Sequence, residues 1–188
     1  EGKTRIIGPN CMGLYCAKGR LSYRSEYPKE SGPVAFLSQS GGNTTHLVQM
    51  AAPRGVRFSK IISYGNGRDL NECDFLDYLA YDRDTEIIAI YIEGVKEGRR
   101  FIRTLHDAAR AKPVILLKGG CGKAGVRAVA GHTGALAGDD STWDGLCKQL
   151  GVIRANTLEE LADMIVTFLF LPLPQGRKVA LIGTGGGA

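Results

Sequence analysis

Two short stretches of this 188-residue chain place small, hydroxylated and titratable residues where chemistry would need them. The first is Ser38-Gln39-Ser40-Gly41-Gly42, at the end of an apolar run. Backbone N–H groups opening a helix, two small hydroxyls and the positive end of the helix dipole would together hold a phosphoryl group. The same five residues also suit an ordinary βα turn with a serine cap. The second stretch, 130–138, reads Ala-Gly-His-Thr-Gly-Ala-Leu-Ala-Gly, and its neighbours are too small to cover the ring of His132. A core histidine normally has bulky packing partners, so His132 is the leading candidate for nucleophilic or acid–base work. His46 and His106 fall within helical segments and are read as structural. Glu93 closes another apolar run. A carboxylate there would accept a hydrogen bond from one imidazole nitrogen, fixing the tautomer and leaving the other nitrogen as nucleophile. A surface acid at a strand end is the competing reading.

Other glycine-rich stretches fit known motifs less well. Gly65-Asn66-Gly67-Arg68-Asp69 is not GxGxxG, because Leu70 stands where the third small residue belongs. The stretch 119–123 has too short a spacing for a P-loop, and Ala124 replaces the Ser/Thr that would bind magnesium. Residues 183–188 fit GxGxxA, with no following helix or later acid in the sequence to support a dinucleotide site.

These residues need elements to position them, and the apolar pattern supplies strands alternating with helices. Strands are expected over 33–38, 58–64, 86–92 and 113–118. Helices are expected over 43–51, 71–81 and 97–111, the last with Phe101, Leu105, Ala108 and Ala109 at helical spacing. Nearly continuous apolar strands separated by helices imply an open, mostly parallel α/β sheet with helices on both faces. The stretch 119–138 holds seven glycines and few large apolar residues, a connection long enough to be functional. Beyond it, Asp139 or Asp140 would cap a helix running to Leu150, and 152–153 would form an edge strand. Thr157 would open a capping box with Glu160, on a helix stopped near Phe170 by Pro172 and Pro174. Both ends read as cut. Residues 6–11 resemble the exit from a strand of a preceding domain, and 178–182 resemble the first strand of a following one.

Composition narrows the class further. With 44% hydrophobic and 23% charged residues, the chain is globular rather than disordered or fibrous. Glycine accounts for 26 residues, about twice the usual share, without a collagen period. The longest mainly apolar stretch, 164–171, falls far short of the roughly 20 residues that span a bilayer, so no membrane association is expected. The first residues lack an apolar stretch, so no secretory signal is expected. Five scattered cysteines (Cys11, Cys16, Cys73, Cys121 and Cys147) form no CxxC, pointing to reduced thiols, a cytoplasmic location and no protein metal site. The net charge is +5, but basic residues are interleaved with acids and form no nucleic-acid motif, so no nucleic-acid partner is expected.

Taken in order, Ile-Gly-Pro-Asn-Cys (7–11), Leu-Ser-Gln-Ser-Gly-Gly (37–42), Tyr-Gly-Asn-Gly (64–67), Tyr-Ile-Glu-Gly (91–94) and Gly-His-Thr-Gly-Ala-Leu-Ala-Gly (131–138) resemble the ADP-forming acyl-CoA synthetases. These are relatives of the α subunit of succinyl-CoA synthetase, and the resemblance covers essentially the whole chain. It implies a flavodoxin-like, doubly wound ligase domain over 31–175. Residues 1–30 would then be the tail of a CoA-binding domain and a linker, and 176–188 the first strand of a second flavodoxin-like domain. It further implies that His132 is phosphorylated, that Glu93 supports it, and that Ser38, Ser40, Gly41 and Gly42 hold the phosphoryl group. Gly131 and Gly134 would be hinges of a mobile loop, while Asn10 and Cys11 would edge the CoA or acyl site.

The implied reaction converts acyl-CoA, ADP and phosphate into carboxylic acid, CoA and ATP. CoA and ADP/ATP are substrates, and Mg²⁺ comes with the nucleotide on another domain. The partners implied are a CoA-binding domain, an ATP-grasp domain or subunit and a second flavodoxin-like domain, in an oligomer. The isolated chain is expected to have little activity. Protein acetyltransferases with a related but degenerate synthetase region typically lack this histidine, so its presence favours a working synthetase. The alternatives are a non-catalytic CoA-sensing or acetyltransferase-associated domain and, resting on 183–188, a dinucleotide-binding oxidoreductase.

Overall fold

The run Val-Ala-Phe-Leu at 34–37 suits a strand covered on both faces, and that is the place it takes. A computed structural model describes residues 4–120, 140–172, 175, 176, 178 and 180. Among these, the strands are β1 (Gly13–Tyr15), β2 (Val34–Ser38), β3 (Phe58–Ser63), β4 (Ile87–Ile92), β5 (Val114–Lys118) and β6 (Ile153–Ala155). The helices are α1 (Gly41–Ala51), α2 (Glu72–Tyr81), α3 (Gly98–Ala111), α4 (Asp140–Leu150) and α5 (Leu158–Phe170), with a 3₁₀ turn at Ala52–Arg54.

The six strands form one sheet in the order β1-β3-β2-β4-β5-β6. All neighbours are parallel except β1, which runs antiparallel to β3 with Gly13 opposite Ser63 and Tyr15 opposite Ile61. The five parallel strands follow the flavodoxin-like order 2-1-3-4-5, as the expected doubly wound α/β class requires. β1 lies before Ser31, in the segment read as domain tail and linker. Three residues are too few to show a period, and the strand is held by its pairing with β3.

The central strands feed two cores because their side chains alternate between faces. Phe36, Phe58, Ile61 and Ala89 pack with Leu47 and Val48 of α1 and Leu161 and Ile165 of α5. On the opposite face, Leu37, Ile62, Ile88 and Ile90 meet Leu76 of α2, Phe101 of α3 and Trp143 of α4. Strands β2 and β5 are buried along their whole length.

Helix starts are chemically marked. Ser40 caps α1 by accepting from the Asn43 N–H, and Asn71 with Asp74 forms a reciprocal capping box on α2 that the sequence reading passed over. Thr157 caps α5, but only half of its expected box forms. Glu160 reaches past it to accept from the Asn156 N–H at 2.7 Å. The strand expected at 178–182 lies mostly outside the described residues, and the GxGxxA stretch at 183–188 entirely so.

Candidate functional site

In an open parallel sheet, ligands bind beyond the carboxyl ends of the strands, where successive connections leave for opposite faces. Here that point lies between β2, whose chain continues into α1, and β4, whose chain continues into α3. The turn 38–42 and Glu93 stand on its two sides.

The α1 side is assembled by local hydrogen bonds. The buried Ser38 hydroxyl donates to Ser40 O at 2.8 Å and accepts from the Ser40 N–H at 3.1 Å, which shapes the turn. Ser40 Oγ satisfies the Asn43 N–H at 3.2 Å, and Thr44 N–H bonds Ser40 O at 3.1 Å. The N–H groups of Gly41 and Gly42 make no hydrogen bond to another described residue. No acid stands in the first turn of α1, whereas α2 and α5 each carry two. A side chain at Gly42 would meet nothing closer than Ser40 Oγ at 3.9 Å, so its absence leaves space open rather than relieving a clash. Two N–H groups without a described partner, at a helix start with no acid in its first turn, have the chemistry that suits an anion; Met12 packs against Gly41, and the open space lies over Gly42.

This helix start opens onto a cavity of about 370 Å³ lined by Asn10, Cys11, Met12, Gln39, Ser40, Gly41 and Gly42. The Gly65–Asp69 turn holds the first two of these in place. Asn66 N–H bonds Pro9 O at 3.0 Å, Arg68 N–H bonds Gly8 O at 2.8 Å, and Arg5 forks onto Asp69. Gly65 has φ +55°, and a Cβ there would lie 2.1 Å from Asn10 O, so the close approach admits only glycine. That turn therefore serves as a clasp for the N-terminal segment. Asn10 reaches Asn66 through its side chain at 3.4 Å, and the Cys11 thiol donates to Ile7 O at 3.6 Å.

On the β4 side, Glu93 is 6% exposed and accepts from the Tyr91 hydroxyl at 3.4 Å. Gln39 bridges the gap between the two sides. Its side-chain nitrogen donates to Gly94 O at 3.0 Å, and its side-chain oxygen accepts from the N–H groups of Glu93 and Gly94. Behind Glu93, the buried Tyr64 hydroxyl lies beside Glu72. Burial and the nearby Glu72 push Tyr64 well above the ordinary phenol range. Burial also raises the Glu72 carboxyl, against the pull of backbone N–H groups and of Lys96. The Cys73 thiol is pushed up to about 11 by burial and by Glu72.

The structure thus places Ser40, Gly41, Gly42, Asn10 and Cys11 around one cavity, with Ser38 buried beneath the turn and the Glu93 backbone tied to it through Gln39. His132, Gly131 and Gly134 lie outside the described residues, as does Cys121; the other four cysteines form no disulfide. His46 is exposed on α1, and His106 on α3 contacts Asp107 at 3.2 Å. Sequence reading missed Gln39, Tyr64 and Glu72. Gln39 had a signal, a bifunctional amide between two serines at a strand end; the other two depend on distant parts of the chain. Among the described residues, no three His, Cys, Asp or Glu groups converge as a metal site, and no helix is long and apolar enough to cross a membrane.

Comparison with known proteins identifies the family of the fold. The model of the succinyl-CoA ligase-like flavodoxin domain matches residues 31–168. The chain is 43% identical, over 97% of its length, to the α subunit of ADP-forming acetate–CoA ligase II of Pyrococcus furiosus, of which it covers 40%. It is 36% identical to the ADP-forming 4-hydroxybutyrate–CoA ligase of Nitrosopumilus maritimus, over 97% of the chain and 27% of that protein. Among solved structures, it superposes on the apo form of acetyl-coenzyme A synthetase 1 of Ca. Korarchaeum cryptofilum with a TM-score of 0.85, at 34% identity. That match covers 97% of this chain and 40% of that one. The chain thus spans 40% or less of each of these relatives.

Proposed function

The chain belongs to the family of succinyl-CoA ligase-like flavodoxin domains, and from that premise we propose that it is the phosphoryl-transfer module of an ADP-forming acyl-CoA synthetase. The observation that carries this is that Gln39 joins, at one strand crossover, the α1 N-terminus, open over Gly42, to the backbone of Glu93, whose carboxylate is buried. The relatives named as ADP-forming CoA ligases, and an acetyl-CoA synthetase solved with phosphate and ADP, support the same chemistry.

In the reaction, phosphate attacks the acyl-CoA carbonyl, giving an acyl phosphate and releasing CoA. The neutral imidazole of His132 then attacks phosphorus, the P–O bond to the acyl group breaks, and the carboxylate leaves with that electron pair. ADP takes the phosphoryl group from phosphohistidine, giving ATP and restoring the imidazole. In this scheme Gly41 and Gly42 donate N–H bonds to phosphoryl oxygens, and Ser38 and Ser40 fix the shape of the turn. Glu93 accepts a hydrogen bond from the imidazole and stabilises its charged form. A helix start suits this task because it offers positive potential without a nucleophile or proton donor that would compete.

Gly131 and Gly134 serve as hinges in the proposal, letting the loop carry His132 between two sites. Asn10 and Cys11 form the edge of the CoA or acyl subsite. The CoA-binding and ATP-grasp units and a second flavodoxin-like domain complete the enzyme. In the proposal Mg²⁺ comes with the nucleotide, and its ligands belong to those other units.

The test is to incubate the full-length protein with γ-labelled ATP and Mg²⁺. The expected product is an acid-labile, base-stable phosphate on the wild type that disappears in His132→Ala with the fold intact. An unlabelled wild type contradicts the proposal and favours a non-catalytic CoA-sensing domain.

A further inference from the structure

We propose that Gln39 is a positioning residue that makes the two turns of the site one rigid unit; the role rests on the function proposed above. Strands β2 and β4 pair up to Ser38 opposite Tyr91, and the Gln39 N–H adds a last backbone bond to Tyr91 O at 3.1 Å. Beyond that rung the two chains diverge, one into α1 and the other towards α3, and backbone pairing ends. The Gln39 side chain supplies the next rung. Its amide nitrogen donates to Gly94 O at 3.0 Å, while its oxygen accepts from Gly94 N–H at 3.0 Å and from Glu93 N–H.

A primary amide is the neutral side chain that reproduces a peptide unit, with donor and acceptor on one planar group. Asparagine is one methylene shorter. Glutamate lacks the donor and would set a carboxylate against Gly94 O, close to Glu93. Methionine fills the volume but leaves three polar contacts unmade. The backbone of Gln39 lies between the serines that shape the α1 start, and its side chain holds the backbone of Glu93. The amide thus sets the distance between the anion-binding N–H groups and the supporting carboxylate. Displacing such a pair by about 1 Å costs on the order of a hundredfold in rate.

The test compares Gln39→Met, Glu93→Gln and the double variant in the full-length protein, with Gln49→Ala on the exposed side of α1 as control. Amide hydrogen exchange in Gln39→Met is expected to quicken about tenfold at Glu93 and Gly94, with β5 unchanged. Histidine phosphorylation is expected to slow about a hundredfold in the otherwise wild-type protein. In the Glu93→Gln background, the same substitution should change it by no more than about twofold, because the group being positioned is already gone. A merely structural role would cost the same in both backgrounds, and that result, or unchanged exchange at Glu93 and Gly94, would overturn the proposal. A wild type that takes no label overturns the synthetase reading instead, and the exchange data alone then decide whether the clamp exists.

Discussion

Two carboxylates at opposite ends of the same sheet, one half-buried and one buried, are shifted in opposite directions. Asp82 sits just past α2, below the start of β4. Burial raises it, but hydrogen bonds from Lys60 and Thr85 and the charge of Lys60 outweigh burial and leave it below the ordinary carboxylate range. Lys60 Nζ lies 2.7 Å from its oxygen, the Thr85 hydroxyl is at 2.6 Å, and Lys112 Nζ donates to Leu79 O and Asp82 O at 2.6 Å each. Glu72, at the first turn of α2 beside the site, goes the other way, because burial outweighs its partners. The far end of the sheet is arranged for stability. At the site end the fold carries a costly buried acid next to Tyr64, behind Glu93, and such uneconomical environments gather where function needs them.

Substitutions can break this contrast. Asp82→Ala leaves Lys60 largely buried without its main partner and should lower unfolding free energy by about 3 kcal/mol in urea titration, with phosphoryl transfer by the folded protein unchanged. In the wild type, the stabilisation from Asp82 is present above its ordinary value of 3.8 and is lost as pH falls through the depressed folded value. Melts at pH 7 and pH 3 should therefore differ less in Asp82→Asn than in the wild type. At the site end, Glu93→Gln should reverse the pattern, with stability nearly kept and histidine phosphorylation slowed about a hundredfold in a quench-flow assay.

Gly42→Ala sharpens the comparison because the protein itself has room for the methyl group. It should stabilise α1 by about 0.5 kcal/mol in thermal melts, since glycine is a poor helix residue, while obstructing the space over the anion-binding N–H groups. Phosphorylation should fall about tenfold, a stability gain bought with function. The smallest effect concerns Glu72. Its folded value is raised, so its favourable contribution is complete below the ordinary 4.5 and is lost as pH rises. Glu72→Gln should accordingly gain on the wild type between pH 4 and pH 7 in parallel urea titrations; a constant difference would show that burial does not dominate there.

The alternating apolar runs made the parallel α/β sheet legible because strands buried on both faces advertise themselves. The strand order was not legible, since nothing local tells β3 to pair on one side of β2 and β4 on the other. β1 was invisible for want of length, and the capping box at Asn71–Asp74 could have been read but was passed over. Ser38, Ser40, Gly41 and Gly42 were legible because a serine–glycine turn between strand and helix states its own geometry. The role of Gln39 was not, because it depends on Glu93 and Gly94, more than fifty residues away. The Gly65–Asp69 turn was noticed for its glycines, yet its use as a clasp on residues 6–10 follows only from the folded contacts.

The central claim is that a phosphoryl group rests on the N–H groups that open α1, at the crossover between β2 and β4. Titrating the isotopically labelled protein with inorganic phosphate and following backbone amide resonances tests this directly. The account requires saturable shifts centred on Gly41 and Gly42, reached only at about tenfold higher phosphate in Gly42→Ala and undisturbed in Asp82→Asn. Shifts centred elsewhere, or an equal response from the Gly42 variant, would contradict it.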